Sequence, residues 1–246
     1  MVLKELKSLL KTPILSLFLK AIVFGLILGL INFSYSFWWL LAYFVYCLYI
    51  YFSFFKNKKN ELIFSFIIFI FFSFFLSLYI KAGYLNFLAI TLVSLIFLVF
   101  LGIKSFVFNH PKVYLNIFYY FLIFLGSAYF SSDLLTSKFI GKIALAFVFI
   151  FLITKEFLDF IGEGFDKRKK VYALVISFLA VQILWTSSLL SVGFLNPAVL
   201  TLVFIITSTD IFLSLFSGNL SKRVIVKNCL FFTIFSSLVL ILPLLI

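Results

Sequence analysis

Asp210 is the one acidic residue that lies deep within a long apolar segment of this chain. A charge near the centre of a bilayer costs about 2.5–3.5 kcal/mol on insertion scales, so this side chain is expected to face protein or water. Thr207 lies three residues before Asp210 and Ser214 four residues after it, so the three share one helix face. Gln182, in the preceding apolar segment, is expected to be buried with them in a polar seam. The seam predicts either a structural hydrogen bond between helices or a carboxylate that couples transport to protons or cations.

Lys20 is the matching opposite charge in the first apolar segment. It lies about 12 Å beyond Thr12 along a helix, and Asp210 lies about 10 Å before Ser217, both measured from the same side of the membrane. We hypothesise an ion pair between Lys20 and Asp210 that docks the first helix onto the second half of the chain. The alternative is that the lysine stem runs along apolar surface and brings its amine to the membrane interface.

Two glycines of the first apolar segment, Gly25 and Gly29, are separated by three residues. Small residues at this spacing let two membrane helices approach closely, because no side chain keeps the backbones apart. The pair therefore predicts a helix-packing face, although the same spacing is also common by chance.

A group of acidic residues near the end of the sixth apolar segment is the only other candidate for chemistry. Glu156, Asp159 and Glu163 recur at helical spacing. Metal ligation is one interpretation, but no His or Cys accompanies them, so a solvated helix end is favoured. The single histidine, His110, precedes Pro111 and is expected in a turn. We therefore predict no metal site and no cofactor.

The residue sets that common catalytic sites require are missing from the sequence. One histidine supports neither a His-based metal centre nor a Ser-His-Asp triad. Intramembrane aspartyl proteolysis needs two carboxylates within the membrane, and only Asp210 qualifies. No Walker phosphate-binding loop is present. These absences predict a protein that is not an enzyme.

The composition places these residues in a membrane. Of the 246 residues, 65% are hydrophobic and only 11% are charged, whereas a soluble domain is about half apolar and a quarter charged. The continuous apolar runs are about 17–20 residues long, enough to cross a hydrocarbon layer of roughly 30 Å as helices. We predict an all-α, polytopic transmembrane helical bundle. The nine predicted spans are 13–31, 37–55, 62–80, 87–103, 113–130, 139–156, 171–190, 197–216 and 225–246.

The segment before the first span carries Lys4, Lys7 and Lys11 at helical spacing. This pattern predicts a short amphipathic helix on the membrane surface, which continues into the first span. Residues 1–31 thus form an amphipathic segment plus first transmembrane helix, which we interpret as an uncleaved signal anchor.

The basic residues are sorted between alternate connections. All but three of the 20 Lys and Arg residues belong to one side of the nine-span pattern, and the exceptions are Lys81, Lys138 and Lys142. The positive-inside rule then predicts a cytoplasmic-membrane protein with its N-terminus in the cytoplasm and its C-terminus outside. The net charge of +12 is scattered over short loops, which favours contact with anionic lipid at the cytoplasmic face rather than binding of nucleic acid.

An internal repeat divides the remainder of the chain. Residues 83–86 (Gly-Tyr-Leu-Asn) match residues 193–196 (Gly-Phe-Leu-Asn), and Thr-Leu-Val recurs at 91–93 and 201–203. Equivalent positions are four spans apart, so both copies run in the same direction. We predict one leading helix followed by two parallel four-helix repeats, 32–130 and 139–246, an arrangement also found in transporters.

Two functions remain open on the sequence. The first is a non-catalytic scaffold or a subunit of a membrane complex, with other membrane subunits or further copies of itself as partners. The alternative is a transporter or flippase-like protein for a hydrophobic or lipid substrate that uses the seam at Gln182 and Asp210. A midplane site for polar solutes should draw polar groups from both repeats, and the first repeat has few, which favours the scaffold.

Overall fold

The computed structural model describes residues 13–34, 36–55, 62–79, 83–105, 111–131, 139–161, 166–190, 193 and 195–241. Within these ranges the chain forms nine α-helices and no β-strand, which confirms the all-helical prediction. The helices are α1 Pro13–Ser34, α2 Phe37–Phe55, α3 Ile63–Tyr79, α4 Tyr84–Ser105, α5 Pro111–Ser131, α6 Phe139–Ile161, α7 Asp166–Ser188, α8 Leu195–Phe216 and α9 Lys222–Ile241. Each predicted apolar segment coincides with one helix. The predicted amphipathic segment before Pro13 lies outside the described residues.

Six of the described helices are long and apolar enough to cross a membrane, judged by length and composition. They are α1, α4, α5, α7, α8 and α9. The apolar stretches of α2 and α3, Phe37–Ser53 and Ile63–Leu76, are shorter. The six long helices indicate a multi-pass membrane protein, since about 20 apolar residues are needed for each crossing.

The chain divides into two compact units, Met1–Phe118 and Tyr119–Ile246. In the first unit, α1 packs against α2, α3 and α4, so the leading helix lies in a bundle with the helices that follow it. Stacked rings fill this core: the Phe24 and Phe97 ring centroids are 4.1 Å apart, and Phe69 stacks on both. Offset ring pairs of this kind add to the stabilisation that burial alone provides.

The two glycines of α1 differ in their surroundings. A β-carbon at Gly25 would overlap the Ser94 Oγ of α4 and lie 3.3 Å from the Ser94 Cβ. A β-carbon at Gly29 would meet no atom within 4 Å. The close helix approach that the sequence suggested therefore involves Gly25, where only a hydrogen fits between the helices.

In the second unit, α6 packs against α7, α7 against α8, and α8 against α9. The residues of α5 that belong to this unit contact α6 through side chains: the Tyr119 and Phe157 rings stack with centroids 4.0 Å apart. A β-carbon at Gly126 would overlap the Phe149 ring. A glycine thus makes room for an aromatic ring where α5 meets α6.

Candidate functional site

The turn between α8 and α9 determines which of their residues face each other. Gly218 has a positive φ of 70°, a conformation that is cheap only without a β-carbon. The Gly218 amide donates to the Leu215 carbonyl (3.2 Å), and the Asn219 amide donates to the Ser214 carbonyl (3.0 Å). These two bonds form a Schellman cap, which ends α8 and reverses the chain.

This hairpin brings Asp210 beside Asn228. Asp210 lies six residues before the end of α8 at Phe216, and Asn228 lies six residues after the start of α9 at Lys222. The Asn228 Nδ2 group donates to Asp210 Oδ2 at 2.8 Å and to the Val224 carbonyl at 3.0 Å. Both side-chain amide protons are therefore used, and one of them holds the carboxylate.

Hydroxyl groups from α5 and α8 continue this polar cluster. The Tyr120 hydroxyl and Thr209 Oγ1 are 3.1 Å apart, and Thr209 also donates to carbonyls of its own helix. Thr209 immediately precedes Asp210 in the sequence of α8. The cluster of Tyr120, Thr209, Asp210 and Asn228, which we name the Asp210 cluster, therefore joins α5, α8 and α9.

Burial differs sharply within the Asp210 cluster. Thr209 is fully buried and Asn228 is 5% exposed, whereas Asp210 itself is exposed at the surface of the chain. Only 6% of the apolar window of α9 is buried, against 33% of that of α8. The carboxylate is thus held on one side by Asn228 and is exposed within the last two turns of α8, beside a weakly covered helix.

The Asp210 carboxylate is able to accept further hydrogen bonds. An ionised carboxylate accepts about four hydrogen bonds, and the bond from Asn228 uses one of them. The remaining acceptor sites suit a cation, a hydrogen-bond donor of another helix or a polar lipid headgroup.

The other residues of the predicted seam lie in different surroundings. Thr207 is buried and donates to the Val203 and Phe204 carbonyls of its own helix, and Ser214 is half-buried. Gln182 is exposed on α7, so the expectation that it is buried is wrong. It lies on a stripe of exposed apolar side chains that includes Phe178 and Trp185, and helical periodicity alone could not tell this stripe from the packed face.

Lys20 lies in the first unit, where it is half-buried on α1 and its carbonyl accepts a hydrogen bond from the Tyr46 hydroxyl at 2.7 Å. Because Asp210 belongs to the second unit, the ion pair between Lys20 and Asp210 stays a prediction. The described residues contain no cluster of three or more His, Cys, Asp or Glu side chains that could hold a metal. Glu163 and His110 lie outside the described residues.

The first unit holds a polar group of its own that sequence analysis missed. The Tyr43 hydroxyl lies 2.7 Å from Ser73 Oγ and donates to the Ile70 carbonyl at 2.9 Å. Asn86, whose Oδ1 has no hydrogen-bond partner, lines a cavity of about 10 Å³ with Ser73, roughly the room that one water needs. These groups are enclosed, since Tyr43 is fully buried and Ser73 is 2% exposed.

Two signals in the sequence point to the missed residues of the Asp210 cluster. Asn228 is the only amide side chain within the last apolar segment, and Gly218-Asn219 marks a tight turn halfway between it and Asp210. A hairpin drawn around that turn pairs the two residues. Tyr120 has no comparable signal, because tyrosines are frequent throughout this chain.

The chain was compared with protein-family models, with curated proteins and with solved structures, and none of the three comparisons found a match.

Proposed function

We propose that this protein is a non-catalytic, multi-pass integral membrane protein that acts as a scaffold or as a subunit of a membrane complex. The observation that carries the proposal is the position of Asp210, which is exposed six residues inside the end of α8 and held on one side by Asn228. A carboxylate facing hydrocarbon costs several kcal/mol, so such residues normally pair with another polar group. A partner helix that brings a basic or hydrogen-bonding side chain to Asp210 removes that cost.

The weak coverage of α9 supports the same proposal. A helix with 6% of its span buried offers most of its circumference to lipid or to another protein. Its single buried residue, Asn228, serves to orient the carboxylate of α8. The pair α8–α9 therefore combines a fixed polar side chain with a broad apolar surface, and polar side chains of this kind form hydrogen bonds between membrane helices.

The topology belongs to this proposal as well. We propose nine spans with the N-terminus in the cytoplasm, the C-terminus outside, and the two repeats 32–130 and 139–246 parallel in the membrane. The sorting of Lys and Arg between alternate connections supports this orientation. The basic face would then also attract anionic lipid.

Affinity purification in a mild detergent tests the subunit role. The native protein is expected to retain a stoichiometric membrane partner, and Asp210→Leu is expected to lower the recovered partner about tenfold, which corresponds to roughly 1.4 kcal/mol and lies within the range of polar contacts between membrane helices. Gln182→Leu is the matched control, since it removes another exposed polar side chain from a span. A native protein that purifies without any partner, or equal losses for both variants, would contradict the proposal.

A transporter or flippase-like role for a lipid substrate remains the second candidate, because the Asp210 carboxylate opens sideways where a lipid headgroup could reach it. Reconstitution into vesicles with a fluorescent lipid in one leaflet separates the two functions. Lipid exchange that is lost in Asp210→Leu would favour the flippase. If vesicles with the native protein exchange the lipid no faster than protein-free vesicles, the scaffold is favoured.

A further inference from the structure

The first turns of α9 carry a shallow, open and positively charged groove, which one face of this helix forms by itself. Lys222, Arg223 and Lys227 line it together with the apolar side chains of Val226 and Leu230. All five residues are exposed. No acidic residue occurs anywhere in α9 to neutralise the three cations.

The geometry of α9 separates this groove from the Asp210 cluster. At 3.6 residues per turn the five lining residues fall within about 140° of the helix surface, and Asn228 lies roughly 170° from the middle of that sector. Asn228 is the residue through which α9 binds Asp210 of α8. The groove therefore faces away from α8, toward whatever surrounds the protein at that membrane boundary.

The lining side chains change from charged to apolar along the helix, as a phospholipid changes from headgroup to acyl chain. Two cations lie at the first two residues of α9, Val226 and Lys227 follow one turn later, and Leu230 lies three residues beyond Lys227. A phosphate near the start of the helix would meet two ammonium groups and one guanidinium, and Arg223 offers the planar fork that binds phosphate through two parallel hydrogen bonds. An acyl chain attached to that phosphate would continue along Val226 and Leu230.

We propose that this groove is a binding site for the phosphate headgroup of one anionic phospholipid, whose acyl chain lies on the apolar pair. The site is independent of the proposed partner contact at Asp210, because the two occupy opposite sides of α9. Free phosphate shares the headgroup chemistry but makes no use of the apolar pair, so the two sources can be distinguished.

Lipid retention by the purified full-length protein tests the proposal. Native mass spectrometry is used to count phosphatidylglycerol and phosphatidylcholine molecules that remain bound after titration in a neutral detergent. We expect one phosphatidylglycerol to be retained selectively, and Lys222→Gln/Arg223→Gln/Lys227→Gln to weaken its binding at least about tenfold. Lys112→Gln/Arg168→Gln/Lys170→Gln is the matched control, because it removes the same charge from exposed residues of other helices. Equal weakening in both variants, or none in the first, would overturn the site.

Two further variants distinguish the outcomes. Lys222→Arg/Lys227→Arg keeps the charge and is expected to retain the lipid, which separates a binding defect from misfolding. Val226→Ser/Leu230→Ser is expected to weaken phosphatidylglycerol binding and to leave competition by inorganic phosphate unchanged. If inorganic phosphate displaces the lipid fully and this variant binds like the native protein, the occupant is free phosphate. If the three-glutamine variant instead loses an acidic partner protein with lipid retention unchanged, the surface is a protein contact and the lipid proposal is wrong.

Discussion

Two buried polar groups of this chain, one in each unit, are arranged in different ways. In the first unit, the Tyr43 hydroxyl, Ser73 Oγ and the Ile70 carbonyl bond to one another inside the bundle, and both side chains are buried. In the second unit, Asn228 is buried in the same manner, but it holds a carboxylate that is exposed. Closed polar groups stabilise a fold, whereas a polar group fixed in an outward direction is available to bind something else.

The difference between the enclosed Tyr43 group and the exposed Asp210 carboxylate is informative only if the second unit is well packed. We expect Gly126→Ala to destabilise the protein by about 1–3 kcal/mol, because its β-carbon would overlap the Phe149 ring, which is 7% exposed. Gly141→Ala is the control, since nothing lies within 4 Å of its β-carbon, and in a helix it should be neutral or stabilise by roughly 0.5–1 kcal/mol. Equilibrium unfolding in mixed micelles measures both. Equal values would mean that α5 and α6 do not meet closely.

The closed polar group predicts a smaller loss in the first unit. Tyr43→Phe removes one buried hydroxyl while Ser73 keeps its bond to the Ile70 carbonyl. We expect the free energy of unfolding to fall by about 1 kcal/mol. Tyr49→Phe, at an exposed position of the same helix, should change it by less than roughly 0.5 kcal/mol. A loss of partner recovery in Tyr43→Phe would show that the first unit also takes part in binding.

Asn228→Leu should have a still smaller effect on stability and a clear effect on binding. It removes the donor to Asp210, and such contacts between membrane helices average about 0.6 kcal/mol. The carboxylate would no longer be held in one direction, so we expect recovery of a membrane partner to fall with little change in unfolding. Parallel unfolding and co-purification assays check this separation. A large stability loss with unchanged recovery would make Asn228 a purely structural residue.

Gln182→Leu gives the smallest expected effect on both properties. The side chain is exposed on α7, and leucine suits a surface that faces lipid better than an amide does. Stability and partner recovery should both match the native protein within about 0.5 kcal/mol. A strong loss of lipid exchange or partner recovery in this variant would restore the predicted seam between Gln182 and Asp210.

The sequence predicted the helices well and the site only in part. Helices follow from continuous apolar runs, because a backbone in hydrocarbon must satisfy its own hydrogen bonds. The nine segments accordingly coincide with the nine helices found in the described part of the chain. Asp210 stood out because a charged side chain within an apolar segment costs free energy in the membrane. The sequence did not predict that Gln182 is exposed. Helical spacing shows which residues share a face of a helix, but it does not show which face a neighbouring helix covers.

The sequence alone determined that the chain is helical, rich in membrane-spanning segments and marked by one unusual carboxylate at Asp210. The tertiary structure decided what surrounds that carboxylate: the capped turn at Gly218 sets the register of α8 against α9, and that register brings Asn228 to Asp210. It also decided that the carboxylate is exposed, which the residue pattern of α8 alone does not reveal. Hydrophobicity is a local property of the chain and can be read residue by residue, whereas partners and exposure arise only from the packing of distant segments.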